Sequence, residues 1–445
     1  MTINSIKVYK ESLLKTDIIP RKLNDISLKY KELFLEDLKN RVIETEDVTQ
    51  CQCGSNNLEL LANIDRFGLP FKSLICKDCG LVVTSPRICD KSLPYYYDKY
   101  YHPLNYGKEH LENQVALFAD GQGEKIFNIL KEYLPSKRVL KVLEIGAGTG
   151  NVLKEFKEEA KLNNIEVDEL GTEYSSDCIE LCRKNNINTI EGNIETVVDR
   201  SDIYDVIILS HVFEHFTDLK NELNNLKKIM DKDTLLYIEV PGILVNHKKH
   251  YYDFSFLGYL VHAHMYNFTL DSLTNILSNN GFTLIYGNEE VESIYRLGVS
   301  NYKENPYLKI QYYLEFLYLN QDYFLSEYNK DKLLVKSYSD LSKQKQMVEN
   351  RNKDIEKQKE MLENRNKDIE KYKQMLKSRN KNIEKYKQML ENRNKDIVGF
   401  KNLIEYKDKK LIDINERLEK INIYSILSIL KNKSLFIEIK KIIKR

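Results

Sequence analysis

The chain has 445 residues, enough for two or three domains, yet 30% of them are charged and none is tryptophan, so part of it is expected not to be globular. Formal net charge is +1, from 68 basic and 67 acidic side chains, which excludes a chain-wide field that would gather nucleic acid or membrane. No stretch approaches the roughly eighteen apolar residues of a spanning helix, and Met1 to Pro20 lacks a basic segment followed by an apolar one. A cytoplasmic protein with reduced cysteines is therefore expected.

Residues 1–45 read as an N-terminal helical extension, followed over 46–92 by a module with two thiol pairs. Cys51-Gln52-Cys53-Gly54 and Cys76-Lys77-Asp78-Cys79-Gly80 each end in a glycine, which a knuckle turn needs for its permissive backbone. Four thiolates close a tetrahedron around Zn²⁺ and leave no position for water, so Cys51, Cys53, Cys76 and Cys79 predict a structural zinc ribbon. The first pair has one intervening residue instead of two, and the competing reading is incidental buried thiols. Cys89 is a spare candidate ligand, while Cys178 and Cys182, one helical turn apart, read as core. Residues 93–120 contain Tyr95-Tyr96-Tyr97-Asp98-Lys99-Tyr100-Tyr101. Tyrosine rings stack on sugar faces and their hydroxyls read sugar edges, so this segment reads as an acceptor cover or, equally, as a packing seam.

From 121 to 300 the pattern alternates strand and helix, predicting an α/β Rossmann-like domain. Val139 to Leu143 reads as a buried strand that breaks into Glu144-Ile145-Gly146-Ala147-Gly148-Thr149-Gly150, with a helix from near Asn151. Glycines let backbone N–H groups approach a ligand, and the helix N-terminus points into the same crevice. A second strand ends at Glu173, placed to meet a ribose diol. A third leads into Glu191-Gly192-Asn193-Ile194, and a fourth, Asp205 to Ser210, into His211-Val212-Phe213-Glu214-His215. The fifth covers Leu235 to Gly242, and a further helix begins near Leu270.

The glycine loop, the Gly171-Thr172-Glu173 strand end, Gly192-Asn193-Ile194-Glu195 and the segment from His211 to Asp218 together resemble the class I S-adenosylmethionine-dependent methyltransferases. The resemblance implies that the glycine loop packs on the methionyl part of S-adenosylmethionine, that Glu173 holds the ribose, and that Asn193 and Ile194 flank the adenine. The candidate cofactor residues are Glu144, Gly146, Gly148, Gly150, Glu173, Asn193, Ile194 and Ser210. An NAD-binding fold is the rival, but its fingerprint is G-x-G-x-x-G and this loop is G-x-G-x-G. With the thiol pairs, Ser85-Pro86-Arg87 and the tyrosines, the chain resembles a narrower group of methyltransferases that carry an N-terminal zinc-binding domain and act on deoxysugars or in surface-polysaccharide synthesis. That resemblance implies a sugar or glycan acceptor.

Methyl transfer from a sulfonium needs an aligned acceptor and a base, and histidine suits neutral pH. Candidates are His264, His211, His215 and Glu214, with His264 preferred because Val261-His262-Ala263-His264 resembles the Tyr-x-Glu-His stretch of sugar C-methyltransferases. Val261 and Ala263 replace its tyrosine and glutamate, which turns the expectation toward methylation of a hydroxyl. His211-x-x-Glu214-His215 also matches an inverse zinc-peptidase pattern, which requires both histidines on one helix, whereas here the segment begins where a strand ends.

Residues 301–342 read as a helical connector and 343–411 as an all-α coiled coil. A fourteen-residue unit is written four times over 346–401, with Val348, Ile355, Leu362, Ile369, Leu376, Ile383, Leu390, Ile397 and Ile404 at heptad spacing. With these at d, Asn352, Asn366, Asn380 and Asn394 alternate with lysine at a, and Arg351, Arg365 and Arg379 oppose Glu356, Glu370 and Glu384 across a parallel homodimer. Residues 412–445 are basic and amphipathic, suited to a peripheral contact with an anionic membrane surface or to a glycosyltransferase partner. The overall expectation is a sugar methyltransferase, O-methylation preferred over C-methylation; no nucleic-acid partner is expected. An RNA methyltransferase and a non-catalytic coiled-coil scaffold are the rival readings.

Overall fold

The computed structural model describes residues 9–108, 121–351, 369–381, 384–385, 387–389 and 409. The chain divides into two compact units, Met1–Ser337 and Tyr338–Arg445.

In the first unit, a seven-stranded sheet is assembled from β6 (Val139–Ile145), β7 (Glu166–Glu173), β8 (Thr189–Glu191), β9 (Val206–Ser210), β10 (Leu235–Glu239), β12 (Phe282–Gly287) and β13 (Glu292–Leu297). Its spatial order is β12-β13-β10-β9-β6-β7-β8, with β6 to β10 parallel and β13 antiparallel to both neighbours. Strand order reverses at β6/β9, so the crevice above their carboxyl ends is where this sheet takes ligands. The central strands are apolar on both faces because both are covered. Ile207 and Leu209 join Leu143, Leu236 and Ile238 in one layer, while Val206 and Ile208 join Leu140, Val142, Leu235 and Tyr237 in the other.

The cysteine-bearing segment forms a second sheet. Strands β2 (Leu58–Ala62), β3 (Lys72–Cys76) and β4 (Val82–Ser85) pair antiparallel, and a fourth strand comes from far along the chain: β11 (Tyr266–Asn267) pairs with β4. Two short strands, β1 (Thr45–Glu46) and β5 (Arg87–Ile88), pair beside it. The module also shares a core with the larger sheet, since Cys51, Cys76, Leu81 and Val83 pack in the layer that holds Leu209 and Phe213.

Within 1–45, the helix Asp25–Lys39 is capped by Asn24, whose side chain accepts from Ser27 N–H, and it buries Phe34 against Phe71, Tyr96 and Tyr100. The long helix Tyr307–Arg351 buries Ile310, Leu314 and Leu317, spaced four and three apart, against Leu61, Ile75 and Val82. In the second unit, 369–381 is helical with exposed side chains; most of the 343–411 repeat, and all of 412–445, lie outside the described residues apart from the short stretches named above. Among the described residues, no helix is long and apolar enough to cross a membrane.

Candidate active site

The cofactor side of the crevice is built by the turn after β6. Gly146, Gly148 and Gly150 all have positive φ, and a Cβ at Gly148 would meet nothing within 4 Å, so this glycine faces open space above the sheet. A Cβ at Gly146 would strike Val212 Cγ2 at 2.7 Å, which is how the glycine loop and the segment after β9 approach so closely. Glu173 ends β7 beside this loop: Oε2 accepts from Gly148 N–H at 2.9 Å, and Oε1 from Tyr174 and Ser175 N–H at 2.8 and 3.0 Å. Glu144 is buried with Oε2 unpartnered, and burial, followed by the Glu173 charge, raises its carboxyl well above the ordinary range. An open glycine cradle flanked by a fixed carboxylate fits a ligand with a cationic amine and a ribose diol. Gly146, Gly148 and Glu173 are the residues that would hold S-adenosylmethionine, which supplies an electrophilic methyl group when bound.

Two candidates play other parts. Asn193 caps the helix Ile194–Val198, its side chain accepting from Glu195 and Thr196 N–H, so its carbonyl oxygen is engaged locally. Ile194 has no exposed surface and packs in the main core. Ser210 ends β9, and its Oγ lies 3.4 Å from Gln122 Nε2. That contact leads to a residue pattern reasoning passed over. Glu239, at the end of β10, accepts from Gln122 Nε2 at 2.5 Å, from Lys125 Nζ at 2.8 Å and from Tyr237 Oη at 2.8 Å. Burial would raise its carboxyl, but the charges of His211 and Lys125 hold it below its ordinary value. Its signal in the sequence was the one used for Glu173, a carboxylate closing a strand at the crevice edge.

The acceptor side gathers residues from three segments. His211, Glu214 and His215 follow β9, Glu214 and His215 lying in the short 3₁₀ turn Phe213–His215; His264 precedes β11; and Tyr97 and Tyr101 come from the tyrosine run. His264 is located by the cysteine module. Thr84 Oγ1 on β4 donates to His264 O at 2.6 Å, Thr84 N–H donates to Met265 O at 3.0 Å, and Met265 N–H donates to Glu214 O at 2.8 Å. Nearby, His262 is fully buried, bonded to Asp65 Oδ2 at 2.6 Å and stacked on Phe34 and Phe71, which makes it a framework residue.

Glu214 is 2% exposed and sits among three imidazoles: Oε1 lies 3.7 Å from His211 Nδ1 and 3.9 Å from both His215 Nε2 and His264 Nε2. None of these is a hydrogen bond, and both Glu214 oxygens lack a partner. His211 has positive φ, and its side chain is 53% exposed. Burial works against its charged form, but Glu214 and Glu239 outweigh that and raise it. Burial lowers His215 and lowers His264 much further, the latter helped by the neighbouring imidazoles.

The tyrosine run divides by its packing. Tyr96 and Tyr100 are fully buried against Phe34, whereas Tyr97 and Tyr101 meet the His215 ring at centroid distances of 6.2 and 6.3 Å. Tyr97 Oη lies 3.0 Å from His215 Nδ1, and burial, then the Glu214 charge, raises its phenol.

The four thiols of the cysteine module come together, all Sγ atoms within 4.8 Å of one another, with Cys51–Cys79 at 3.5 Å and Cys53–Cys76 at 3.7 Å. A tetrahedron of about 2.3 Å Zn–S bonds has edges of about 3.8 Å, so the residues present fit the ion. Gly54 and Gly80 turn with positive φ, and their N–H groups bond back to Cys51 O and Cys76 O. Cys89 lies outside this group, and Cys178 and Cys182 are buried on the helix Ser176–Lys184.

Residues 118–286 match the family described as "Methyltransferase domain". Over 190 residues the chain is 26% identical to the ubiquinone/menaquinone biosynthesis C-methyltransferase UbiE of Wigglesworthia glossinidia brevipalpis, covering 40% of this chain and 69% of that protein. Among solved structures it is similar to the CurJ carbon methyltransferase, at 18% identity and a TM-score of 0.35 over 45% of this chain and 61% of that one. It is also similar to the plantazolicin methyltransferase BpumL in complex with SAH, at 17% identity and a TM-score of 0.31 over 48% and 86% of the two chains. With the glycine cradle and Glu173 at the switch point of the sheet, the family match identifies a class I S-adenosylmethionine-dependent methyltransferase domain, and the chain is an S-adenosylmethionine-dependent methyltransferase.

Proposed function

We propose that the acceptor is a sugar, nucleotide-linked or within a surface glycan, and that a hydroxyl oxygen receives the methyl group. The observation that carries this reading is the meeting of Tyr97 and Tyr101 with His215, beside the cofactor crevice. Aromatic faces with polar tips suit a ring that is apolar on its faces and hydroxylated at its rim. His211 is the base in this reading. It is 53% exposed and adjoins Val212, which touches the glycine loop, whereas His264, preferred on sequence, is 12% exposed. UbiE is named a C-methyltransferase, which keeps carbon methylation as the alternative outcome of the test.

The test supplies purified protein with methyl-labelled S-adenosylmethionine and separate glycan, nucleotide-sugar and RNA fractions. Label in a sugar fraction, recovered as an O-methyl signal by NMR, is expected; a C-methyl signal overturns the oxygen assignment, and label confined to RNA overturns the sugar.

The same reading includes a structural Zn²⁺ on Cys51, Cys53, Cys76 and Cys79, and a parallel dimer through 343–411. In the described part of the repeat, Ile369 and Leu376 stand at the seam positions. Deletion of 343–411 should give monomers by light scattering. Residues 412–445 are assigned to a peripheral contact with membrane or glycosyltransferase on their basic amphipathic pattern.

A further inference from the structure

Glu214 is almost fully buried, both its oxygens are unpartnered, and it lies at the centre of an imidazole cluster. A buried carboxylate with no donor carries its full desolvation cost, which a protein ordinarily offsets with a cation. Lysine and arginine supply none here, among the described residues, within salt-bridge distance. The ligating atoms of Glu214, His215 and His264 all lie within 4.8 Å of one another. Four-coordinate ligands at about 2.1 Å stand about 3.4 Å apart, so the observed 3.9 Å separations close with shifts of a few tenths of an ångström.

Around His215 the surroundings have the form of a ligand's outer shell, whereas His264 Nδ1 is buried without a partner. His215 Nδ1 faces Ala263 O at 2.9 Å and Tyr97 Oη at 3.0 Å, which fixes the ring and leaves Nε2 directed at Glu214. His264 is fixed through its backbone by Thr84, on a strand of the cysteine module. The His215 and His264 rings stand 4.9 Å apart at 86°, an arrangement in which two imidazoles address one point without stacking.

We propose that Glu214, His215 and His264 form a second metal site, distinct from the four thiols, that binds one divalent transition-metal cation and through its open positions a hydroxyl oxygen of the acceptor. Two nitrogens and one carboxylate favour zinc, cobalt, nickel or manganese over calcium or magnesium. The cation acidifies the bound hydroxyl, whose proton passes to His211. The oxygen then forms a bond to the methyl carbon as the carbon–sulfur bond breaks, and S-adenosylhomocysteine leaves with the electron pair. The acceptor step rests on the hydroxyl reading above; cation binding does not, and the experiment reads binding alone.

The experiment titrates Co²⁺ into the full-length protein after loading with one equivalent of Zn²⁺, and follows visible absorption and equilibrium dialysis. The expected result is one Co²⁺ per chain with weak d–d bands and no thiolate-to-cobalt charge transfer. Glu214→Gln and His264→Ala should each weaken that binding at least tenfold, with S-adenosylmethionine affinity as the measure that the domain is folded. Cobalt found only with a thiolate charge-transfer spectrum, no cobalt bound, or unchanged affinity in both variants would each overturn the proposal.

Discussion

The cofactor half of the crevice is made by residues close in sequence, Gly146 to Gly150 and Glu173 to Ser175, whereas the acceptor half draws Tyr97, His211 to His215 and His264 from three distant segments and depends on Thr84 from a fourth. In the first, the backbone itself is the binding surface, and its conformation is written in glycines. In the second, side chains converge only after the cysteine module has paired its β4 with β11. Local backbone thus forms the candidate cofactor cradle, and tertiary packing assembles the candidate acceptor side.

Substitutions can break this division. His211→Ala should have the largest effect, lowering turnover by about 10²- to 10⁴-fold as expected for loss of a base, with calorimetric affinity for S-adenosylmethionine kept. A fully active variant would remove His211 from the chemistry. Glu173→Ala should do the reverse, weakening S-adenosylmethionine by about ten- to a hundredfold, in line with about 1.5–3 kcal/mol for hydrogen bonds to a charged group. Unchanged calorimetric affinity there would end the ribose assignment.

Thr84→Val separates the two halves, because Thr84 belongs to the cysteine module and hydrogen-bonds to the His264 backbone. Turnover should fall by about three- to tenfold, the worth of one hydrogen bond, with S-adenosylmethionine affinity unaltered. Equal loss in both would mean that the module supports the whole domain and not the acceptor half alone.

The smallest effect concerns stability. Burial, then the charges of Glu195, Asp218 and Asp90, raises the Glu222 carboxyl to about 7. A carboxyl raised on folding binds its proton more tightly in the folded state, so its ionisation lowers stability as pH rises from its unfolded value through 7. Glu222→Gln should therefore raise the melting temperature at pH 8 and leave it nearly unchanged at pH 4. The gain is on the order of 1 kcal/mol after discounting for solvent screening. Equal gains at both pH values would show that the charge is not the cause.

Much of the sheet was legible because each strand pattern was local. Val139–Ile145 leads into its glycines, Glu166–Glu173 ends on an acid, and Val206–Ser210 ends at His211, as the apolar runs indicated. Glu239 was passed over although it closes β10 by the same logic, because its partners Gln122 and Lys125 lie on a helix more than a hundred residues earlier. The tyrosine run could not be apportioned from its sequence, since neighbouring tyrosines differ only in the direction their helical backbone turns them: Tyr96 and Tyr100 inward to Phe34, Tyr97 and Tyr101 toward His215.

What the amino-acid sequence determined alone is the cofactor fold and the four-thiol module, because both rest on short-range requirements: positive φ at glycines, alternation along strands, and paired thiols at turn spacing. The tertiary structure alone decided how each histidine is placed and how far it is exposed. An exposure of only 2% at Glu214, the clamp of Thr84 on His264 and the 53% exposure of His211 arise where separate elements pack, and no spacing along the chain encodes how much water reaches a side chain.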